Sequence, residues 1–112
     1  MNKLVKNQKC YKNQEINLSK GAFDKIIDCC YVLVMENSPR KDTIMNRLAK
    51  QYPSKKIKIQ YNKGYKNCDK VLKKQKSNYD LTDAYYHAFL DAKRNNYKNI
   101  MVLEGDFIFT EH

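Results

Sequence analysis

Arginine is almost missing from this lysine-laden chain: Arg40, Arg47 and Arg94 are the only three among 22 basic residues in 112. Arginine's planar fork is the side chain that grips phosphates and base edges through two parallel bonds. The net charge of +10 therefore argues for solubility and a loose attraction to anions, and against sequence-reading nucleic-acid binding. Abundant lysine, asparagine, isoleucine and tyrosine form the bias that an AT-rich genome imposes whatever the function. Aromatic residues do not interleave with basic ones as a base-stacking surface requires.

Histidine is equally scarce, with only His87 and the terminal His112, and Cys10, Cys29, Cys30 and Cys68 contain no C-x-x-C spacing. That argues against a zinc site. Cys29 and Cys30 open an apolar run, where a reduced cysteine behaves as a small hydrophobe. A reducing compartment, the cytoplasm, is the simplest reading. No secretory apolar region follows Met1, and no apolar run approaches the length of a membrane span. At 112 residues the chain amounts to one domain, short for a complete α/β enzyme.

What is present is an alternation of strand and helix signals. Residues 1–28 are the least regular part, with a short strand or helix near Ala22–Ile27 as the one local option. CYVLVM, Cys30–Met35, predicts a buried strand. Ser38 and Pro39 then offer an N-cap and a first helical residue. Ile44, Met45, Leu48, Ala49 and Tyr52 recur on one helix face, and Pro53 stops it. Lys56–Tyr61 alternates Ile57, Ile59 and Tyr61 with Lys56, Lys58 and Gln60, the pattern of a half-exposed strand. Strand, helix, strand in this order predicts a right-handed crossover and a parallel sheet.

The lysine-rich stretch Asn62–Asp80 reads as a long basic connection. A dedicated anion loop is the sharper option for Lys63, Lys66 and Lys70. The clearest helix follows, about Leu81–Asn96, capped by Asp80 or Thr82. Leu81, Ala84, Tyr85, Ala88, Phe89 and Ala92 form its expected core stripe. A second stripe holds Asp83, Tyr86, His87 and Leu90, so the helix is expected to be covered on two sides. The Tyr86 and Leu90 face would meet a second copy or a missing carboxyl-terminal half. Ile100–Leu103 is expected as a strand buried on both faces, ending in the acids Glu104 and Asp106 around Gly105. Two carboxylates at a strand's carboxyl end suit a divalent cation carrying a phosphorylated ligand. A plain solvated turn is the bland alternative.

From Cys30 to Phe109 the chain resembles nucleotide-sugar glycosyltransferases of the GT-A fold, nearest to the lipooligosaccharide-type family and its relatives in large DNA viruses. The segment DLTDAYYHAFLDAKRNNYKNIMVLEGDFIF carries the likeness: a helix with a histidine, a short loop, and a strand ending in an acidic motif. CYVLVMENSPRKDTIMNRL is similar to the family's first strand and helix. The resemblance implies an α/β, three-layer, Rossmann-like donor-binding half spanning about residues 29–112, with a mostly parallel sheet. It implies Mn²⁺ or Mg²⁺ on Asp106 and Glu104, and a nucleotide-diphospho-sugar donor near Glu36, Arg40 and Glu104. Gly105 departs from the family's usual aspartate. The stop at His112 leaves no acceptor site or catalytic base, so the expectation is a truncated, donor-binding fragment. His87, one turn beyond Asp83, reads as a packing or hydrogen-bonding residue ahead of a base. The alternatives are a non-enzymatic basic α/β module binding nucleic acid or an acidic partner, or a catalytically dead, self-associating remnant.

Overall fold

The computed structural model describes residues 10–39, 41–64 and 77–104. Four strands form one mixed sheet: β1 (Tyr11–Asn17), β2 (Cys29–Met35), β3 (Lys56–Asn62) and β4 (Ile100–Glu104). Helix α1 (Lys41–Gln51) joins β2 to β3, and helix α2 (Ser77–Arg94) precedes β4. The spatial order is β1-β3-β2-β4. β2 pairs in parallel with both β3 and β4, while β1 runs antiparallel along β3. The expected mostly parallel α/β sheet is therefore present, with an antiparallel edge strand that the weakly patterned first 28 residues did not disclose.

β2 explains the layering. Its residues alternate sides, as strand geometry requires. Cys30, Val32 and Val34 pack with Ile44 and Leu48 of α1 and with Ile57 and Ile59 of β3. Cys29, Tyr31 and Leu33 pack with Ala84, Ala88 and Ala92 of α2. The two helices thus cover opposite faces. Burying Ile44 and Leu48, each 2% exposed, contributes about 2 kcal/mol apiece. Pro53 follows the last turn of α1, as expected. α1 begins at Lys41, so Ser38 and Pro39 belong to the preceding turn, where Ser38 N–H donates to Met35 O over 3.0 Å.

Three expectations are corrected. β3 is not half-exposed: β1 and β2 flank it, so its polar side faces α2, with Gln60 0% and Lys58 8% exposed. β4 is not buried on both faces: it forms an edge among the described residues, and each of its five residues is only half-buried. The inward face of α2 is rotated from the expected stripe. Asp83 and His87 point in beside Ala84, Ala88 and Ala92, while Leu81 and Phe89 are exposed.

The helix end matches its sequence signal. Asn96 adopts the left-handed conformation at φ 59°, Tyr97 N–H donates to Ala92 O, and Asn96 N–H to Lys93 O. This pair of bonds satisfies carbonyls the last turn leaves open. Cys29 and Cys30 are buried free thiols, as expected. Cys10 is disulfide-bonded, which departs from the reading of all cysteines as reduced. Among the described residues no helix is long and apolar enough to cross a membrane.

Candidate functional site

The crossover that leaves β2 passes over one face of the sheet, and the one that reaches β4 passes over the other. The direction of the connections reverses between β2 and β4, where open α/β sheets leave a crevice for ligands. An open cleft of about 360 Å³ lies on the other side of β2, at the carboxyl ends of β2 and β3, lined by Glu36 and Asn37 after β2, Lys41 at the start of α1, and Lys63 after β3. Two cations and one carboxylate give it a positive balance. The amino-terminal end of α1 borders it at Lys41, and a helix start favours an anion.

Asn62 holds the floor of this cleft together. Its backbone carbonyl accepts Glu36 N–H over 2.8 Å, tying the end of β2 to the end of β3. Its side-chain oxygen accepts Gly64 N–H over 2.9 Å, and its amide donates to Asp80 Oδ2 of α2 over 3.1 Å. Gly64 sits at φ 91°, which a side chain would strain. Lys63 N–H donates to Cys10 O over 3.0 Å. Lys41 Nζ rides 5.1 Å above the Tyr61 ring, whose hydroxyl donates to Gln14 Oε1 over 2.8 Å.

Glu104 closes β4 opposite Leu33 in the β2–β4 register, on the same edge of the sheet as Glu36. It is half-buried and neighbours Tyr85, whose phenol is pushed up by burial and then by the charge and hydrogen bond of Glu104. Arg40 and Asp106 lie outside the described residues. Among the described residues no three His, Cys, Asp or Glu side chains gather as a metal-binding group. Glu104 by itself falls short of the several oxygen ligands that Mn²⁺ or Mg²⁺ requires. The described residues therefore fit an anion and do not make up a cation site.

His87 is 6% exposed. Its Nδ1 lies 2.8 Å from Gln60 Oε1, and its ring stacks on Tyr11 at 4.3 Å between centroids. Gln60 in turn donates from Nε2 to Ala84 O over 2.9 Å. The hydrogen-bonding role expected of His87 is the one observed. Asp83 accepts the Tyr11 hydroxyl over 2.5 Å, which draws β1 onto α2. These residues join β1 and β3 to α2. Of the expected site residues, Glu36 lines the cleft and Glu104 stands on the next strand. Lys41 is the lining residue the sequence reading missed. Its signal was its place, directly after the turn that follows the first parallel strand.

Searches for matching protein families, characterised proteins and solved structures found none.

Proposed function

We propose that the chain is the donor-binding half of a nucleotide-sugar glycosyltransferase, Rossmann-like and of GT-A type, which holds a nucleoside diphosphate in the cleft between Glu36 and Lys63. One observation carries the reading: a cleft with two lysines and a helix start lies at the carboxyl ends of the parallel strands β2 and β3. When a sugar leaves its donor, negative charge grows on the diphosphate. Lys41 and Lys63 would stabilise that charge from opposite walls, and Glu36 and Asn37 would accept and donate hydrogen bonds to the sugar or nucleoside hydroxyls. The reading adds Mn²⁺ or Mg²⁺ on Glu104 and Asp106.

The remaining half of such an enzyme, or a second copy, would cover the outward side of α2, where Tyr86 is exposed and Leu90 half-buried. The reading also places the protein in the cytoplasm, a host's if the gene is viral. The free thiols of Cys29 and Cys30 support this placement and the Cys10 disulfide counts against it.

Calorimetric titration of UDP, GDP and UDP-sugars, with and without Mn²⁺, tests the proposal. Lys41→Glu and Lys63→Glu should each weaken binding at least about tenfold, the size of a lost charge-assisted contact. Asp106→Ala should abolish any gain from Mn²⁺ and leave metal-free binding unchanged. Absence of diphosphate binding, or unchanged affinity in both lysine variants, overturns the reading.

A further inference from the structure

A second open cleft, of about 610 Å³, lies at the opposite, amino-terminal edge of the sheet. That volume is within the range of small-ligand sites. Lys55, Lys56 and Lys98 project around it, with Asn96, Tyr97 and Asp28. Among the described residues neither Lys55 nor Lys98 pairs with a carboxylate at ion-pair distance, and both are exposed. Lys56 is steered instead by the Tyr97 ring, 5.7 Å from its centroid. The left-handed turn at Asn96 sets its side-chain amide and the adjoining Tyr97 on the cleft wall.

The one acid of this group is already engaged. Asp28 Oδ2 accepts Lys98 N–H over 2.7 Å and Asn99 N–H over 3.1 Å. With Asn17 on its wall as well, the cleft thus offers three ammonium groups, two amides and a phenol against one carboxylate turned to backbone donors. Such a set is rich in donors and poor in acceptors, which suits a ligand made of anionic oxygens. Lysines serve as point charges and match phosphate oxygens without demanding a planar partner. Three of them spread along an open cleft fit consecutive phosphates better than one.

We propose that this cleft is a second anion site, binding a short chain of phosphates through Lys55, Lys56 and Lys98. Free oligophosphate and the phosphodiester backbone of a single strand share this chemistry. The site is independent of the nucleotide cleft, from which the whole length of the strands separates it.

The test uses the full chain carrying Lys41→Glu and Lys63→Glu, so that the nucleotide cleft contributes nothing. Tripolyphosphate and a short oligothymidylate are titrated in turn, with amide shifts followed by NMR. Shifts at Asn96, Tyr97 and Lys98, and at least a tenfold loss of affinity on adding Lys55→Ala and Lys98→Ala, are expected. Binding of tripolyphosphate alone assigns free oligophosphate. Binding of both, with the oligothymidylate salt slope falling by about 1.4 in the alanine variant, two contacts at about 0.7 each, assigns the phosphodiester. No binding of either probe, or affinity unchanged by the alanine pair, overturns the site. Circular dichroism of each variant confirms that these surface changes leave the fold intact.

Discussion

Lys58 Nζ lies 2.9 Å from Asp91 Oδ2, joining the middle of β3 to the last turns of α2. The Tyr31 hydroxyl donates to the same oxygen over 2.5 Å, and the Tyr97 ring lies 5.6 Å from the ammonium. Both charges are largely removed from water, with side chains 10% and 17% exposed. Removing Asp91 leaves the Lys58 ammonium with the exposed Glu15 carboxylate 4.0 Å away, a poor replacement, so the loss costs more than the pair contributes. Asp91→Ala should therefore destabilise the fold by about 3 kcal/mol, and the double change Lys58→Met with Asp91→Leu should recover most of that loss. Urea midpoints for the singles and the double measure it. A double variant no better than Asp91→Ala would sink the argument.

The same pair shapes the acid limb of stability. Burial pushes the Asp91 carboxyl up, but the hydrogen bonds from Tyr31 and Lys58 outweigh it and hold the group below its ordinary 3.8. The folded protein then binds this proton less tightly than the unfolded chain. The stabilisation is present above pH 3.8 and fades as pH falls through the lower folded value. Asp24 and Asp28, held low first by backbone N–H groups, act in the same direction. Asp91→Asn should flatten part of the fall in urea midpoint as pH drops below 3.8, not all of it.

Burial pushes the thiols of Cys29 and Cys30 up to about 12 from 9.0. Thiolate is the reactive form, so neither residue should be alkylated by iodoacetamide at pH 8 in the native protein. Both should react once urea unfolds the chain, as peptide mapping would report. Because the folded pKa is raised, these thiols cost stability as pH climbs from 9.0 towards 12. Labelling of Cys29 or Cys30 in the folded state would contradict the buried β2 described above.

Much of the frame was legible because β2 and α1 carry undiluted periodicity. The unbroken apolar run of Cys30–Met35 and the Ile44, Leu48 spacing predicted elements that formed. β1 was not legible, since Lys12, Asn13, Gln14 and Glu15 are all exposed and only its pairing with β3 makes it a strand. The polar side of β3 misled for the opposite reason. Lys58 and Gln60 look solvated, but Asp91 and His87 reach across to satisfy them, and burial of a satisfied polar group carries little penalty. For the site, the turn at Glu36 and the strand end at Glu104 were readable from position. Lys41 was not, because one lysine among so many carries no distinguishing mark until the strands are ordered.

Gly21 is held where no side chain fits. A Cβ there would come within 2.3 Å of Ser54 Cα and 2.6 Å of Lys55 N, both backbone atoms of the loop between α1 and β3. Asp24 locks the approach, accepting Gly21 N–H over 2.7 Å and Lys55 N–H over 2.9 Å. Ala22 and Phe23 donate backbone bonds to Tyr52 and Pro53. Gly21→Ala should force the two segments apart and cost about 2–3 kcal/mol, the upper range of overpacking changes. Asp24→Ala should cost less, because it removes two hydrogen bonds without a steric clash. Chemical denaturation of both variants ranks them, and the opposite order would refute the close approach.

The orientation of α2 gives the sharpest contrast between pattern and packing. Periodicity places Ala88 and Phe89 together on a core stripe, yet Ala88 is 0% and Phe89 53% exposed. The Phe89 ring keeps only a tilted neighbour in Tyr85, 6.2 Å away. Alanine at 84, 88 and 92 lets the helix sit close to Tyr31 and Leu33, and the polar groups of Asp83, His87 and Asp91 find partners on β1, β2 and β3. That satisfaction outweighs the gain from turning Leu81 and Phe89 inward. Phe89→Lys should then shift stability by no more than about 0.5 kcal/mol, as surface changes do. Ala88→Leu should cost about 1–3 kcal/mol by overpacking the interface with β2. Thermal melts of the two variants decide between the orientations: a large loss at 89 with tolerance at 88 would restore the stripe that periodicity alone predicts.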